Sequence, residues 1–318
     1  MINLAEILQA ADRIAGKIHR TPIFSSRTLG KCIGVELFLK CECFQKTGSF
    51  KPRGALNKVL TLSDSERHRG LITVSAGNHA QAVAWAANQI GARCTVVMPS
   101  DAPQSKVDAV KAYRGKIIFH EDRATLFDKL NEEKDRRGLT FVHPFDDPVV
   151  LAGAGTVGVE LVEDCSDVDF VIVPVGGGGL MAGVVSAVKQ MKPTAKVIAV
   201  ELEAGPALKP AIEAGNPIHV DRPYGTLADG MTPPFIGQLP LEIARDNIDE
   251  IVTVTEGEII ATMKLLMTRA KICAEGAGAA ATAALLYGKA NVPAGSRTVA
   301  LVSGGNVDLD KLVSVFGS

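Results

Sequence analysis

Two short segments carry the residue types that suggest chemistry most directly, a lysine and a run of glycines. Lys51 stands in Ser49-Phe-Lys-Pro-Arg-Gly, just before a proline that suits the first turn of a helix. Four consecutive glycines follow an apolar run and precede a helical stretch: Gly176, Gly177, Gly178 and Gly179. Consecutive glycines let several backbone N–H groups face one anion, and the positive end of the next helix adds to the attraction. The glycine run is therefore predicted to bind a phosphate group.

The predicted phosphate site indicates a function for Lys51. The glycine run lacks the spaced G-x-G-x-x-G of dinucleotide-binding folds, and neither a Walker lysine nor an acidic metal cluster accompanies it. A phosphate-bearing cofactor that needs a reactive lysine is pyridoxal phosphate, which such a lysine holds as a Schiff base. We therefore expect pyridoxal phosphate as the cofactor, held by Lys51.

A third segment suits the carboxylate of a small substrate. The run Ser75, Ala76, Gly77, Asn78 and His79 follows an apolar stretch and opens an alanine-rich helix. Small residues and exposed amides at a helix start can receive a carboxylate, although Ser75 could equally be only a helix cap. His79 taken alone is interpreted as a structural hydrogen-bonding residue.

The elements that must position these segments alternate between helical stretches and short apolar runs rich in β-branched residues. The predicted strands are 35–40, 70–75, 94–99, 116–119, 169–174, 196–201 and 298–303. Strands separated by helix-length segments form parallel sheets covered by helices on both faces, so the predicted fold is α/β. Apolar residues at helical spacing from Leu4 to Ile18 predict an opening helix that ends before Thr21-Pro22.

Composition narrows the class of protein. The chain has 318 residues, 47% hydrophobic and 22% charged, with a net charge of −1, so nucleic acid is not an expected partner. No apolar segment has the length needed to cross a bilayer, and the first residues do not resemble an export signal. The six scattered cysteines are expected to be reduced, and Cys41-Glu-Cys43 has no second pair to complete a metal site. A cytoplasmic enzyme is expected.

Five segments in order resemble one family. Ser49-Phe-Lys, Ser75-Ala-Gly-Asn-His-Ala-Gln, the glycine run, Glu275-Gly-Ala-Gly-Ala and Ser303-Gly-Gly-Asn are similar to motifs of the serine/threonine dehydratase and serine racemase family. This is the fold-type II (tryptophan synthase β-like) branch of pyridoxal-phosphate enzymes, and the short catabolic threonine dehydratases are closest in motif. The resemblance runs from Arg20 to Asn306. It implies two parallel-sheet lobes, which we place at 1–47 with 146–318, for the large cofactor-binding lobe, and at 48–145.

The resemblance also implies roles for single residues. Lys51 would form the Schiff base, Phe50 and Asn78 would touch the ring, the four glycines would hold the phosphate, and Ser303 would face the pyridine nitrogen. The segment from Ser75 to His79 would receive the substrate carboxylate. A serine at the ring nitrogen does not stabilise its protonation, which suits elimination of a β-hydroxyl better than transamination.

Three positions separate the members of this family. Racemases need an acid/base serine where this chain has Ala76, so we expect dehydration with little racemisation. Glu201 aligns with one carboxylate of a Mg²⁺ or Ca²⁺ site whose second carboxylate is replaced here by Ala207, so no metal is expected, with carbonyl and water ligands left as an alternative. Arg123 aligns with an arginine of members that handle hydroxyaspartate, where it could pair with a second substrate carboxylate.

The leading hypothesis is therefore β-elimination from L-threonine or L-serine, giving a 2-oxo acid and ammonia. Four alternatives stay open: 3-hydroxyaspartate dehydration, serine racemisation with side dehydration, β-replacement as in cysteine synthases, and a non-catalytic binding protein of the same fold. The resemblance implies a homodimer or a homotetramer.

Overall fold

The computed structural model describes residues 1–222 and 225–316, which contain two separate β-sheets. The first sheet has the strand order β1-β2-β10-β7-β8-β9 and the second has the order β5-β4-β3-β6. All strand pairs are parallel apart from β1 with β2. The strands are β1 Ile23–Ser25, β2 Glu36–Cys41, β3 Leu71–Val74, β4 Cys94–Pro99, β5 Lys116–His120, β6 Thr140–Phe141, β7 Phe170–Pro174, β8 Lys196–Leu202, β9 Glu250–Val254 and β10 Arg297–Val302. The predicted α/β class is confirmed.

Helices cover both faces of each sheet. They are α1 Leu4–Ile14, α2 Arg27–Ile33, α3 Lys51–Leu60, α4 Asp64–Arg69, α5 Asn78–Gln89, α6 Gln104–Ala112, α7 Leu126–Arg137, α8 Pro148–Asp164, α9 Gly179–Met191, α10 Leu208–Ala214, α11 Gln238–Asn247, α12 Glu256–Leu265, α13 Gly276–Leu286 and α14 Leu309–Phe316. Helices α1, α8, α9, α10 and α11 share one apolar core, and α2, α12 and α13 share the core on the opposite face of the six-stranded sheet. Helices α3, α5 and α6 cover one face of the four-stranded sheet and α7 covers the other.

The observed elements differ from the predicted ones at the edges. Strands β1, β6 and β9 were not predicted, because two of them have three residues or fewer and β9 is a half-buried edge strand. Helix α1 begins with a capping box between Asn3 and Glu6, but it ends at Ile14 and not near Ile18. Gly16 has a φ of 71°, a left-handed conformation that turns the chain away from the helix axis.

Close packing of three helices brings the lysine and the glycine run together. An added Cβ at Gly54 of α3 would lie 2.7 Å from the Val150 carbonyl of α8, so these helices approach backbone to backbone. Gly155 of α8 and Gly183 of α9 meet in the same way, with a built Cβ on Gly183 only 2.6 Å from the Gly155 nitrogen. Because α3 and α9 both pack tightly on α8, their N-terminal ends are held near each other.

The strands of the four-stranded sheet all lie between residues 71 and 141, and those of the six-stranded sheet lie outside this range. The lobe boundaries at residues 47/48 and 145/146 stay a proposal. In the two described ranges no helix is long and apolar enough to cross a membrane.

Candidate active site

Lys51 is the first residue of α3, with Phe50 at the N-cap and Pro52 in the first turn. Its Nζ donates a hydrogen bond to the Pro144 carbonyl oxygen at 2.8 Å and lies 5.0 Å from the centre of the Phe50 ring. Within the described part of the chain no carboxylate pairs with this amine. Loss of solvent around the amine lowers the pKa of Lys51 to about 8, against a smaller opposing effect of Glu275. Lys51 is therefore a neutral amine near neutral pH far more often than an ordinary lysine is.

The glycine run forms a turn between β7 and α9 that has no room for side chains. A Cβ on Gly177 would lie 2.3 Å from the Phe145 ring, and one on Gly176 would lie 2.4 Å from the Gly230 carbonyl oxygen. Gly178 is the N-cap of α9 and has a left-handed φ of 92°. The first turn of α9 presents backbone N–H groups that have no intrahelical acceptor, so the turn can bind an oxyanion.

The segment from His143 to Phe145 joins the lysine to the glycine run. Pro144 accepts the Lys51 hydrogen bond, and the next residue, Phe145, lies with its ring against Gly177 and with its Cα and Cβ against Gly179. The His143 Nδ1 accepts hydrogen bonds from the backbone N–H groups of Phe145 at 3.2 Å and Asp146 at 2.8 Å. Burial lowers the pKa of His143 to about 4, so the ring stays neutral. The sequence interpretation gave this segment no role, because its contribution is a backbone carbonyl and an aromatic packing surface.

The proposed carboxylate segment forms the tight entry into α5. The Ser75 Oγ accepts a hydrogen bond from the Gly77 N–H at 3.0 Å, a local turn that orients the loop. Gly77 is the N-cap of α5, and a Cβ there would meet nothing within 4 Å. Ala76 packs at the margin of the apolar core. The buried His79 ring bonds through Nε2 to the Val142 carbonyl at 3.0 Å, and burial holds its pKa well below its ordinary value.

Asn78 lies at the centre of a hydrogen-bonded set that joins distant segments. Its Nδ2 donates to Glu275 Oε1 at 2.7 Å, and its Oδ1 accepts from Asn306 Nδ2 at 2.8 Å. The same Asn306 Nδ2 donates to the Thr47 carbonyl at 2.7 Å. Glu275 and Asn306 were quoted within motifs but given no role in the sequence analysis. Their contacts span roughly two hundred residues of sequence, which no local pattern could reveal.

Ser303 directly follows the apolar strand β10 and lies beside the lysine segment. Its carbonyl accepts a hydrogen bond from the Phe50 N–H at 3.1 Å, and the next residue, Gly304, forms an isolated β-bridge with Ser49. The side chain is 4% exposed. The structure thus brings Ser303 next to Phe50, the residue that precedes Lys51.

A buried ionic cluster is built around Arg53, two residues after Lys51. Arg53, in the same helical turn, donates to Glu42 from Nε at 2.7 Å and to Glu160 from Nη1 at 2.7 Å. Lys40 pairs with Glu160 at 2.6 Å. Burial opposes the charges, but the two carboxylates hold the pKa of Arg53 above its ordinary value and the two cations hold that of Glu160 below its ordinary value. The cluster joins the start of α3 to α8 and to the 3₁₀ turn after β2, and motif reasoning did not find it.

Glu201, the candidate metal ligand, caps a helix. Its Oε1 accepts from the backbone N–H groups of Ala207 at 2.7 Å and Leu208 at 2.8 Å, and its Oε2 accepts from Lys209 N–H at 3.3 Å. Burial lowers the pKa of Arg222, and the Glu201 charge acts in the opposite direction. In the ranges covered by the structure, no three His, Cys, Asp or Glu residues group in a way that could hold a metal.

Arg123 lies in a short 3₁₀ turn before α7 and pairs with Asp101. Its Nη2 lies 2.6 Å from Asp101 Oδ1, and both side chains are solvent-accessible. A separate ion pair joins the region of the four-stranded sheet to the region of the six-stranded sheet. It is formed by Lys106 of α6 and Asp229.

Comparisons with known proteins agree on one family. A model described as pyridoxal-phosphate dependent enzyme matches residues 14–304. The chain is 43% identical to the catabolic L-threonine dehydratase of Escherichia coli (strain K12), over 99% of this chain and 96% of that protein. Among solved structures it matches a T.th. threonine deaminase with a TM-score of 0.90 at 40% identity, covering 96% of this chain and 99% of that one. It matches maize serine racemase with a TM-score of 0.92 at 36% identity, covering 98% and 96%.

Proposed function

This chain belongs to the family of pyridoxal-phosphate dependent enzymes, and from that premise we propose that it is an ammonia-lyase acting on L-threonine and L-serine. The identity of 43% with a threonine dehydratase over nearly the whole of both chains supports this activity. The observation that carries the proposal is the Lys51 amine, which has a neutral carbonyl as its partner beside a glycine turn suited to phosphate.

The site fits the cofactor that the family uses. The glycine turn has no space for side chains, so its backbone can approach a phosphate closely, and the nearby amine has a lowered pKa. Pyridoxal phosphate supplies an aldehyde that condenses with amines and a ring that withdraws electrons from the substrate Cα. The residues that would hold it are Lys51, Phe50, Asn78, Gly176, Gly177, Gly178, Gly179 and Ser303.

Lys51 is the proposed base of the reaction. Its Nζ is fixed by the Pro144 carbonyl, and the lowered pKa leaves a neutral amine that can take the proton from the substrate Cα. The substrate then loses this proton and its β-hydroxyl, which together make water. Hydrolysis of the resulting enamine with one water yields a 2-oxo acid and ammonia, so the net change for L-threonine is 2-oxobutanoate plus ammonia.

The substrate carboxylate is proposed to bind at the start of α5. Free N–H groups of the first helical turn and the open surface above Gly77 suit a negatively charged group. Ser75 shapes this loop through its bond to the Gly77 N–H, and Asn78 holds it to the opposite side of the site.

Ala76 supports dehydration over racemisation. A racemase needs a second proton-transferring group on the opposite face of the Cα, and the Ala76 methyl group cannot transfer a proton. We expect pyruvate formation from L-serine to exceed its conversion to D-serine by a wide margin. Comparable rates of the two reactions would refute this assignment.

Threonine and serine are favoured over 3-hydroxyaspartate. Arg123, the residue that would receive a second substrate carboxylate, already bonds to Asp101 at 2.6 Å. Replacing Arg123 with Ala should therefore leave threonine turnover unchanged. If hydroxyaspartate is turned over and Arg123→Ala damages only that activity, the runner-up substrate is correct.

The test is a substrate panel with chiral analysis of the same samples. Purified protein with added pyridoxal phosphate is given L-threonine, L-serine and the hydroxyaspartate isomers, with and without a thiol, and keto acid is measured. We expect the largest kcat/KM for L-threonine or L-serine and no thiol adduct. A protein that releases no keto acid from any of them would contradict the proposal.

Assembly and location are proposed from separate arguments. The family resemblance supports a homodimer or homotetramer. A cytoplasmic location is supported by six cysteines that are all free thiols in the structure.

A further inference from the structure

Glu275 is a buried carboxylic acid that has no role in the reaction described above. It occupies the N-cap position of α13, yet its side chain does not cap the helix. The residue is 3% exposed, and its Oε1 accepts a hydrogen bond from Asn78 at 2.7 Å. A Cβ on Gly304 would lie 2.4 Å from Oε1, so the carboxyl group lies next to Ser303 at the centre of the candidate site.

The side-chain amides of Asn78 and Asn306 can satisfy all their hydrogen bonds in only one orientation. The Thr47 carbonyl can only accept, so the Asn306 atom that faces it must be the Nδ2 donor. The same Nδ2 faces Asn78, whose contacting atom must then be the acceptor Oδ1. This leaves the Asn78 Nδ2 directed at Glu275, which must supply an acceptor oxygen. The Asn306 amide therefore joins the segment before Lys51 to the start of α5, and the Glu275 carboxyl group fixes the orientation of the Asn78 amide in this set.

Charged groups surround this carboxyl from several elements. Asp229, in the 3₁₀ turn Asp229–Met231, brings a like charge, while Lys106 of α6 and Lys51 of α3 bring positive charges. Burial, followed by Asp229, raises the pKa of Glu275 to about 8, and Asn78, Lys106 and the Asn306 backbone oppose this. The acid can hold its proton on one oxygen while the other accepts from Asn78.

We propose that Glu275 is a positioning residue of the dehydration reaction: as a neutral acid it orients the Asn78 amide and keeps a negative charge away from Lys51. This proposal rests on the proposed function. Removal of the Glu275 proton places a carboxylate near the Lys51 amine, and that charge stabilises the ammonium form, which cannot accept the Cα proton. Because the two groups titrate as a coupled pair, loss of the Glu275 proton near pH 8 delays loss of the Lys51 proton, so the rise of the wild-type kcat with pH is expected to extend to higher pH than it would beside a neutral residue.

Two substitutions separate the neutral acid from the carboxylate. Glu275→Gln keeps an acceptor oxygen for Asn78 and cannot ionise, so kcat at pH 7 should stay within about threefold of the wild type, and the rise of kcat with pH should be complete at a lower pH than in the wild type. Glu275→Ala leaves the buried Asn78 donor unpaired, which should lower kcat/KM and cofactor affinity by about 10- to 100-fold. The control is Glu133→Gln, a carboxyl group of low exposure on α7 that pairs with Lys129 and Arg136, and it should keep the wild-type profile.

A measurement without turnover completes the test. In protein labelled with ¹³C at the glutamate carboxyl carbons, one resonance that is missing in Glu275→Gln should titrate near pH 8 in the chain without cofactor. A resonance that titrates near the ordinary glutamate range would overturn the proposal. So would a Glu275→Gln variant as impaired as Glu275→Ala, or one whose kcat rises over the same pH range as that of the wild type. Wild-type protein inactive on every amino acid would instead refute the proposed function, while the carboxyl titration would still decide the state of Glu275.

Discussion

Lys51 and Arg53 are two basic residues in the first turn of one helix, and their side chains have opposite kinds of partner. Arg53 is completely buried, and both of its neighbouring carboxylates, Glu42 and Glu160, bond to it directly. Lys51 has one neutral partner, the Pro144 carbonyl. The pKa of Arg53 is consequently raised, whereas that of Lys51 falls to about 8. A paired charge holds the helix in place and an amine without a carboxylate partner is left free to exchange a proton.

The difference shows how the site combines rigidity with reactivity. The Arg53 cluster ties α3 to α8 and to the 3₁₀ turn after β2, and this anchoring holds the Lys51 backbone in position. The amine two residues earlier lacks a carboxylate partner, and the desolvated position favours its neutral form. Substitutions at the two positions should therefore separate activity from stability.

Lys51→Met should cause the largest change in activity. The variant keeps the length of the side chain but has no amine, so keto-acid release should fall by roughly 10³-fold or more. The free energy of unfolding should stay within about 1 kcal/mol of the wild type, since the substitution removes one hydrogen bond and adds apolar burial. Kinetics with L-threonine and denaturation of the chain without cofactor measure the two quantities. A variant that retains a tenth of the activity would contradict the assignment of Lys51 as the base of the reaction.

Arg53→Met should have the reverse pattern, with a large loss of stability. Glu42 and Glu160 would remain buried without their main partner, which costs about 3–5 kcal/mol in the free energy of unfolding. Denaturant unfolding measures the loss, and Arg53→Lys serves as the control because it keeps a charge but loses the two-pronged bonding. Adding Glu42→Gln to Arg53→Met should recover part of the loss. A loss below about 1 kcal/mol would show that the cluster does not anchor α3.

The same contrast explains what could be predicted from the sequence. Lys51 and the glycine run were predicted as a cofactor site because their chemistry depends on residue type and local spacing, and in the structure both contact the segment Pro144–Phe145. Arg53 lies within the same motif, but its partner Glu160 is 107 residues away. Glu275 likewise gains its role only from Asn78, 197 residues earlier. The parallel sheets followed from apolar runs, whereas the short strand β6 and the edge strand β9 depend on neighbours that the local pattern does not specify.

The Lys51 amine should also be distinguishable by its pH dependence. In the chain without cofactor, its reaction with an amine-specific reagent should reach half of its maximal rate near pH 8, in contrast to the ordinary lysine value of 10.5. The unfolded chain binds more protons than the folded one between these two pH values, so this group makes the protein more stable as pH rises through them. Mass spectrometry of the Lys51 peptide follows the reaction, with a lysine model peptide as the control. If the rate reached half of its maximum near pH 10.5, the Lys51 amine would have an ordinary pKa, and the proposed contrast with the paired Arg53 would be wrong.

Glu201 extends the comparison to a carboxylate, and here the expected effect is smallest. Three backbone N–H groups at the start of α10 already bond to its two oxygens, as Glu42 and Glu160 are already bonded to Arg53. A carboxylate satisfied in this way offers little to Mg²⁺ or Ca²⁺, which take six or more oxygen ligands. A chelator, or either cation added to chelated protein, should change kcat by less than about twofold and leave the thermal midpoint unchanged. A thermal midpoint that rises with cation concentration in the wild type, but not in Glu201→Gln, would show that Glu201 binds the cation. Glu201 would then be available for chemistry, as Lys51 is.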